Sequence, residues 1–122
     1  MTVGQSAATT EKGFKSKSSP SGNALKPMNP IKIMLASGAT FVARVSGNPK
    51  EIGYVLEEAM KHKGFAFIEV LIPCIIFHNV DYKNRVYSLE DSGHDKTNFD
   101  EAWKKAQEFD YDDTAPLGVY PK

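Results

Sequence analysis

The side chains that could perform catalysis are few and scattered in this sequence. The three histidines, His62, His78 and His94, do not have the spacing of metal ligands. Cys74 is the single cysteine, so the sequence holds neither an internal disulfide nor a cysteine cluster for zinc or an iron–sulfur centre. It follows Pro73 at the predicted end of a strand, where a nucleophile is conceivable, but no base is close in sequence. We therefore predict no catalytic residue and no metal ligand in this chain.

Each histidine also has a structural interpretation, which the local sequence favours. His62 lies between two lysines at a predicted helix end, where the helix dipole favours a cation. His94, in Gly93-His94-Asp95, is typical of a turn that aligns a following helix. His78 follows an apolar run and precedes a loop, so it could instead line a cleft.

The first 29 residues are the most suggestive part of the sequence. Residues 1–29 are rich in Ser, Thr, Gly, Lys and Pro, which predicts an irregular loop. A structureless run of that length is unusual in a compact domain, so it is either disordered or wraps a ligand or partner. Its glycine allows close approach of the backbone. The side-chain hydroxyl and amide groups suit a phosphate or another polar edge of a cofactor, and they belong to Thr2, Gln5, Ser6, Thr9 and Thr10. Composition alone also allows a disordered tail.

Residues 30–122 have the periodicity of an α/β domain. Asn29-Pro30 predicts a helix start, and that helix should stop near Gly38 and be followed by a strand over 40–45. Asn48, Pro49 and Glu51 form a capping-box-like start to the next helix. Its predicted apolar stripe consists of Ile52, Val55, Leu56, Ala59 and Met60. The apolar strand over 65–71 completes a βαβ unit, and such units form parallel sheets with helices on their faces.

The last third is less regular. Residues 82–89 are interpreted as helical, and Ser92-Gly93 as a turn. Asn98 should cap a final helix whose apolar side carries Phe99, Ala102, Trp103, Ala106 and Phe109. Residues 117–120, flanked by two prolines, are interpreted as an edge strand.

Charge and hydropathy limit the possible partners and compartments. The formal net charge is zero, which gives no electrostatic case for nucleic acid or a membrane surface. The acidic residues of 90–113 form either a solvated face or a docking surface for a basic partner. The longest apolar stretch, 65–77, is too short and interrupted to span a bilayer. Cysteine usage and the absence of an apolar signal core favour a cytoplasmic location.

Several motifs, in the same order, resemble one family. Met1-Thr2-Val3-Gly4-Gln5 resembles the Met-Thr-Gly-Gly-Gln segment that follows the thiamine-diphosphate motif in β subunits of 2-oxoacid:ferredoxin oxidoreductases. The segment 18–23 is similar to the Thr-Thr-Pro-x-Gly-Asn of that family, and Leu35–Arg44 to its Ala-Ala-Gly-Ala-Thr-x-Val-Ala-Arg. The Lys-Gly-Phe strand ending in Pro-Cys matches residues 61–74, and 93–95 and 116–120 match as well. The likeness covers essentially the whole chain.

The resemblance implies a fold, a cofactor and a set of partners. The fold would be the C-terminal half of a thiamine-diphosphate-binding α/β domain, with residues 1–29 as a cofactor- or partner-wrapping loop and residues 30–122 as the partial domain. The family decarboxylates a 2-oxoacid such as pyruvate oxidatively onto coenzyme A, and electrons pass through a [4Fe-4S] cluster to ferredoxin. Met1 and Thr2 would abut thiamine diphosphate, while Gly4 and Gln5 would shape its pocket. The implied partners are the α subunit, the remainder of the β subunit and ferredoxin.

The departures from the family pattern concern the cofactor's anchors. The Gly-Asp-Gly and Asn that hold Mg²⁺ and the diphosphate, and the cysteines that ligate the cluster, belong upstream of Met1. Val3 and Ala8 replace residues that the family usually has in the loop. Two other hypotheses stay open: a non-catalytic remnant or interaction module of the same ancestry, and an unrelated small α/β ligand-binding domain. A partial sheet should also expose a strand edge, so we expect the isolated chain to self-associate or to be marginally folded.

Overall fold

Three helices and four strands make up the protein in the computed structural model, which describes residues 4–82, 84–109 and 114–122. In chain order they are α1 (Pro30–Ala36), β1 (Phe41–Ser46), α2 (Pro49–Lys61), β2 (Ala66–Leu71), β3 (Val86–Ser88), α3 (Phe99–Ala106) and β4 (Ala115–Val119). No helix in the described residues has the length and apolar character needed to cross a bilayer.

The four strands form one mixed sheet in the order β2-β1-β4-β3. Strands β1 and β2 are parallel, as are β3 and β4, while β1 and β4 are antiparallel. Two of the three pairings are therefore parallel, and helices cover the sheet. This confirms the predicted α/β fold with a mostly parallel sheet flanked by helices.

Helices pack on both faces of the sheet because the side chains of β1 alternate between them. Phe41, Ala43 and Val45 join Val55 of α2 in one buried cluster. On the other face, Val42 packs with residues of α1 and α3. A third cluster of Leu71, Phe109 and Ala115 extends the core toward the carboxyl end of β2.

All three predicted helix caps are confirmed. The side chains of Asn29, Asn48 and Asn98 accept hydrogen bonds from backbone N–H groups in the first turns of α1, α2 and α3. The carboxylate of Glu51 accepts from the Ser46 hydroxyl at 2.6 Å and from the Asn48 amide at 3.2 Å. It therefore ties the end of β1 to the start of α2.

Two sequence interpretations of the last third are wrong. Residues 82–89 are not a helix, because residues 86–88 pair in parallel with residues 115–117 as β3. The predicted edge strand is interior, since β4 pairs with β1 through Gly118 and Val119 and with β3 through its first three residues. Pro116 is tolerated because only β3 lies alongside that half of β4.

The predicted apolar stripe of α2 is only partly buried. Val55 is buried, and Ile52 and Ala59 pack against the same cluster. Leu56 and Met60, in contrast, are exposed. The stripe is therefore wider than the face that α2 turns toward the sheet.

A charged group lies in the middle of the core. Arg44 of β1 is fully buried, and its Nε donates to Glu69 Oε2 of β2 at 2.6 Å. Its Nη1 donates to the Tyr120 hydroxyl at 2.9 Å, and that hydroxyl donates to the Pro116 carbonyl at 3.0 Å. Burial, the largest effect on Tyr120, raises the pKa of its hydroxyl above the ordinary value. Phe109 lies against the guanidinium, 4.7 Å from ring centroid to Cζ.

Candidate functional site at the carboxyl ends of β1 and β2

Two adjoining clefts lie where the parallel strands β1 and β2 end. The smaller, the loop cleft, has a volume of about 190 Å³ and is lined by Ala7, Thr9, Thr10 and Glu11 on one side and Ile72, Pro73, Cys74, His78 and Tyr82 on the other. The larger, the strand-end cleft, measures about 950 Å³ and includes Ser46 at the end of β1, Gly47 and Asn48 just after it, and residues 79–82. Pro73 and Tyr82 line both. In open α/β sheets, ligands bind beside such carboxyl ends.

Residues 4–28 form a loop that is stabilised by hydrogen bonds within it. The Gly13 N–H donates to the Asn23 carbonyl at 2.8 Å, and the Asn23 N–H donates to the Phe14 carbonyl at 2.9 Å. The Asn23 side-chain amide also donates to the Thr10 carbonyl at 2.8 Å. The Met28 N–H donates to the Ala8 carbonyl at 2.8 Å, which returns the loop to its start before α1. Asn23 is therefore the side chain that organises the loop.

The loop is attached to the segment after β2 mainly through His78. Glu11 Oε1 lies 3.0 Å from His78 Nε2, and the rings of Phe14 and His78 are 3.9 Å apart between centroids. His78 and Glu11 are both largely shielded from solvent. The loop thus forms one wall of the loop cleft, and the 72–82 segment forms the other.

Of the four residues predicted to contact a cofactor, Gly4 and Gln5 are in the described part of the chain. Gly4 is buried and has a φ of 78°, a left-handed conformation that favours glycine. A Cβ atom built on it would stand 3.4 Å from the Phe77 ring, and its carbonyl accepts from the Ser18 hydroxyl at 3.0 Å. Gln5 is exposed. Met1 and Thr2 lie outside the described residues.

The thiol of Cys74, which lines the loop cleft, has a lowered pKa. The backbone N–H of Phe77 hydrogen bonds to it and lowers the pKa of the thiol, and partial burial opposes this less strongly. On the same wall, burial raises the pKa of the Tyr82 hydroxyl, and the charge of Glu11 adds to that effect.

We expect Cys74 to be alkylated at a lower pH in the folded chain than in the unfolded chain. Because folding lowers the thiol pKa, the reactive thiolate is populated from a lower pH upward. The rate of iodoacetamide labelling should be measured against pH, with and without denaturant; a single cysteine makes the signal unambiguous. Equal or reversed midpoints would contradict the prediction.

The described residues contain no group of three or more His, Cys, Asp or Glu side chains that could hold a metal ion. At Gly4, where a side chain would face Phe77, the absence of a side chain lets the loop backbone lie close to the 72–82 segment.

Sequence reasoning missed the pairing of Glu11 with His78. The two residues are separated by 67 positions, and neither belongs to a recognised motif. The one available signal was the position of His78 shortly after a strand end, which allowed it to line a cleft. The other two histidines make structural contacts: His62 Nε2 lies 2.8 Å from the Thr40 hydroxyl, and His94 Nε2 lies 2.8 Å from the Tyr120 carbonyl oxygen.

Two family profiles match successive parts of the chain. Residues 1–70 match the thiamine pyrophosphate enzyme C-terminal TPP-binding domain. Residues 74–120 match the C-terminal part of the pyruvate ferredoxin oxidoreductase β subunit. The first match ends within β2, and the second begins at Cys74, just before the turn that follows this strand.

Individual relatives agree with these profiles. The chain is 33% identical to a 2-oxoacid:ferredoxin oxidoreductase subunit β from Saccharolobus solfataricus, over 98% of this chain and 44% of that subunit. It is 44% identical to a 2-oxoglutarate synthase subunit from Archaeoglobus fulgidus, over 61% of this chain and 28% of the relative.

A solved structure also superposes on the chain. It is a 2-oxoglutarate:ferredoxin oxidoreductase from Magnetococcus marinus with 2-oxoglutarate, coenzyme A and succinyl-CoA bound. The TM-score is 0.86 at 30% identity, covering 97% of this chain and 41% of that one. The chain therefore spans less than half the length of these relatives.

Proposed function

The chain belongs to the thiamine pyrophosphate enzyme family, in which it corresponds to the C-terminal part of the β subunit of 2-oxoacid:ferredoxin oxidoreductases, and we propose that it works as one part of such an oxidoreductase. The proposed reaction converts a 2-oxoacid and coenzyme A into acyl-CoA, carbon dioxide, a proton and two electrons, and the electrons reduce ferredoxin. Family membership excludes an unrelated α/β ligand-binding domain.

The loop cleft is the observation that carries the proposal. A polar, self-organised loop lies against the carboxyl end of a parallel strand, which is the position where α/β sheets bind cofactors. We propose that Gly4 and Gln5 in this loop, together with Met1 and Thr2, which precede them in the sequence, contact thiamine diphosphate. When bound, thiamine diphosphate supplies a carbanion nucleophile for the keto carbon of the substrate. The chain's own residues would position the cofactor and exclude water from it.

We propose, from the family resemblance, that the ligands of Mg²⁺ and of the [4Fe-4S] cluster are supplied by the part of the β subunit that the relatives have outside the matched region. The α subunit and ferredoxin are the other proposed partners. On this account the chain has no oxidoreductase activity by itself and acquires it on assembly.

The activity can be tested with an assembled enzyme. This chain would be co-expressed with the remaining part of the β subunit and the α subunit of the Saccharolobus solfataricus relative, and reduction of ferredoxin would be followed spectroscopically. We expect reduction that requires a 2-oxoacid, coenzyme A and thiamine diphosphate together. An assembly that binds the cofactor but reduces no ferredoxin would favour a non-catalytic module.

Gly4→Val should weaken thiamine diphosphate binding by the assembled subunit about tenfold or more, equivalent to about 1.4 kcal/mol. The new side chain would face the Phe77 ring and push the loop away from the 72–82 segment. Gly13→Val is the matched control, because Gly13 also has a positive φ of 86° but has no atom within 4 Å of a built Cβ. Bound cofactor would be titrated fluorimetrically. Equal losses in the two variants would show only a common backbone strain and would remove the proposed role of Gly4.

A further inference from the structure

One pair of side chains joins the two walls of the loop cleft. Glu11, from the loop of residues 4–28, and His78, from the 72–82 segment, line the cleft from opposite sides. Glu11 Oε1 lies 3.0 Å from His78 Nε2, and the exposed fractions of the two side chains are only 25% and 17%. The Glu11–His78 pair therefore links the loop to the segment through polar groups that are largely withdrawn from water.

Each member of the pair is presented by a tight turn. The His78 N–H donates to the Cys74 carbonyl at 2.8 Å, which closes the turn that carries the imidazole. In the loop, the Phe14 N–H and the Asn23 side-chain amide both donate to the Glu11 carbonyl, at 3.3 Å each. The same loop turn places the Phe14 ring 3.9 Å from the His78 ring between centroids. One turn of the loop thus makes a polar contact and a ring contact with a single imidazole.

The charges of the loop are arranged asymmetrically around this contact. Glu11 is the single acidic residue of the loop, and it points inward to His78. The lysines of the loop are exposed: Lys12, Lys15, Lys17 and Lys26. Withdrawing a carboxylate from water costs free energy unless a hydrogen-bond donor compensates it. The inward position of Glu11 therefore indicates a specific partnership with His78.

The start of the loop lies against the same turn that carries His78. A Cβ atom built on Gly4 would stand 3.4 Å from the ring of Phe77, the residue before His78. Residues 4–14 are therefore held against the turn of residues 74–78 near both of their ends. A ligand that binds only this attached arrangement has an apparent dissociation constant that rises in proportion as the attached fraction falls.

We propose that Glu11 and His78 are positioning residues, which hold the loop in the arrangement that binds thiamine diphosphate. They act through the neighbouring Gly4 and Gln5, the described residues proposed to contact the cofactor, and they transfer no proton themselves. The identity of the ligand rests on the proposed function, whereas the attachment of the loop does not.

Cofactor binding by the β subunit, assembled with the remaining part of the Saccharolobus solfataricus relative, tests the pair. Glu11→Ala and His78→Leu should each raise the dissociation constant of thiamine diphosphate about tenfold. The double variant should lose no more than either single one, because both changes remove the same contact. His78→Gln, whose side-chain amide can donate to Glu11, should recover most of the affinity. His62→Leu is the matched control, since His62 is also half-buried and lies 2.8 Å from a hydroxyl, that of Thr40, but precedes β2 at the opposite end of that strand.

The kinetics of the assembled oxidoreductase distinguish a positioning role from a catalytic one. With Glu11→Ala or His78→Leu, kcat at saturating thiamine diphosphate should stay within about twofold, while the cofactor concentration that gives half the maximal rate increases. Unchanged cofactor affinity, losses that add in the double variant, or a lower kcat at unchanged affinity would overturn the proposal.

Alkylation of Cys74 in the cofactor-free chain tests the attachment independently of the proposed function. Cys74 lines the same cleft, so releasing the loop would open one wall beside its thiol. Glu11→Ala should increase the rate of iodoacetamide labelling about threefold or more, measured where the rate no longer rises with pH, and His62→Leu should not. An unchanged rate with Glu11→Ala would overturn the attachment. Faster labelling, together with a wild-type assembly that binds no thiamine diphosphate, would support the attachment and contradict the proposed function.

Discussion

Glu69→Leu is expected to lower the free energy of unfolding by about 3–5 kcal/mol. The substitution removes the carboxylate that lies 2.6 Å from the fully buried Arg44 guanidinium and leaves that charge without its counter-ion. Urea unfolding followed by circular dichroism would measure the loss.

The double variant Arg44→Met/Glu69→Leu separates charge from packing. Removing both members of a buried pair eliminates the uncompensated charge, so most of the lost stability should return. The Tyr120 hydroxyl would keep its acceptor, the Pro116 carbonyl. A double variant no more stable than the single one would contradict this explanation.

Asn29→Asp should cost about 2–4 kcal/mol, although aspartate is as good a helix cap as asparagine. The Asn29 amide donates to the buried carbonyls of Ala106 at 3.0 Å and Phe109 at 2.8 Å, while its oxygen caps α1. Aspartate keeps the cap but loses both donors and brings a negative charge to two carbonyl oxygens. Thermal or urea unfolding would measure the change.

Asn98→Asp is the matched control for this prediction. The side-chain oxygen of Asn98 accepts from the N–H groups of Asp100 and Glu101, and the residue is exposed. We expect a change within about 0.5 kcal/mol. Similar losses at positions 29 and 98 would mean that the cap, not the two donated hydrogen bonds, determines the effect.

The parts of the fold that sequence predicted correctly depend on local chemistry. The caps at Asn29, Asn48 and Asn98 act within a few residues, and the βαβ unit is encoded by the apolar pattern on either side of α2. Strand β3 was mistaken for a helix because its three residues are stabilised by β4, about 30 positions later, and not by their own sequence.

The neighbours of each strand were not predictable from periodicity. Residues 117–120, flanked by two prolines, suggested an edge strand, whereas the apolar β2 suggested an interior one. In the described sheet, β4 is interior and β2 is at the edge. Similarly, Arg44 has an ordinary strand sequence around it, and its burial depends on Glu69 opposite it in the register of β1 and β2.

The candidate site was predicted mainly through resemblance. Composition alone left residues 1–29 equally compatible with a wrapping loop and a disordered tail. The contacts of Asn23 within the loop and of Glu11 with His78 join residues that are distant in sequence, and no local pattern encodes them. Gly4 is the predicted residue whose structural environment explains its type, since a side chain there would face Phe77.

Under the proposed function, the loop of residues 4–28 encloses thiamine diphosphate in the assembled β subunit. The most direct measurement is amide hydrogen exchange of the assembled β subunit, with and without thiamine diphosphate and Mg²⁺. We expect slower exchange across the loop, including Thr10 and Asn23, when the cofactor is bound. Saturated cofactor binding with unchanged exchange throughout the loop would contradict it.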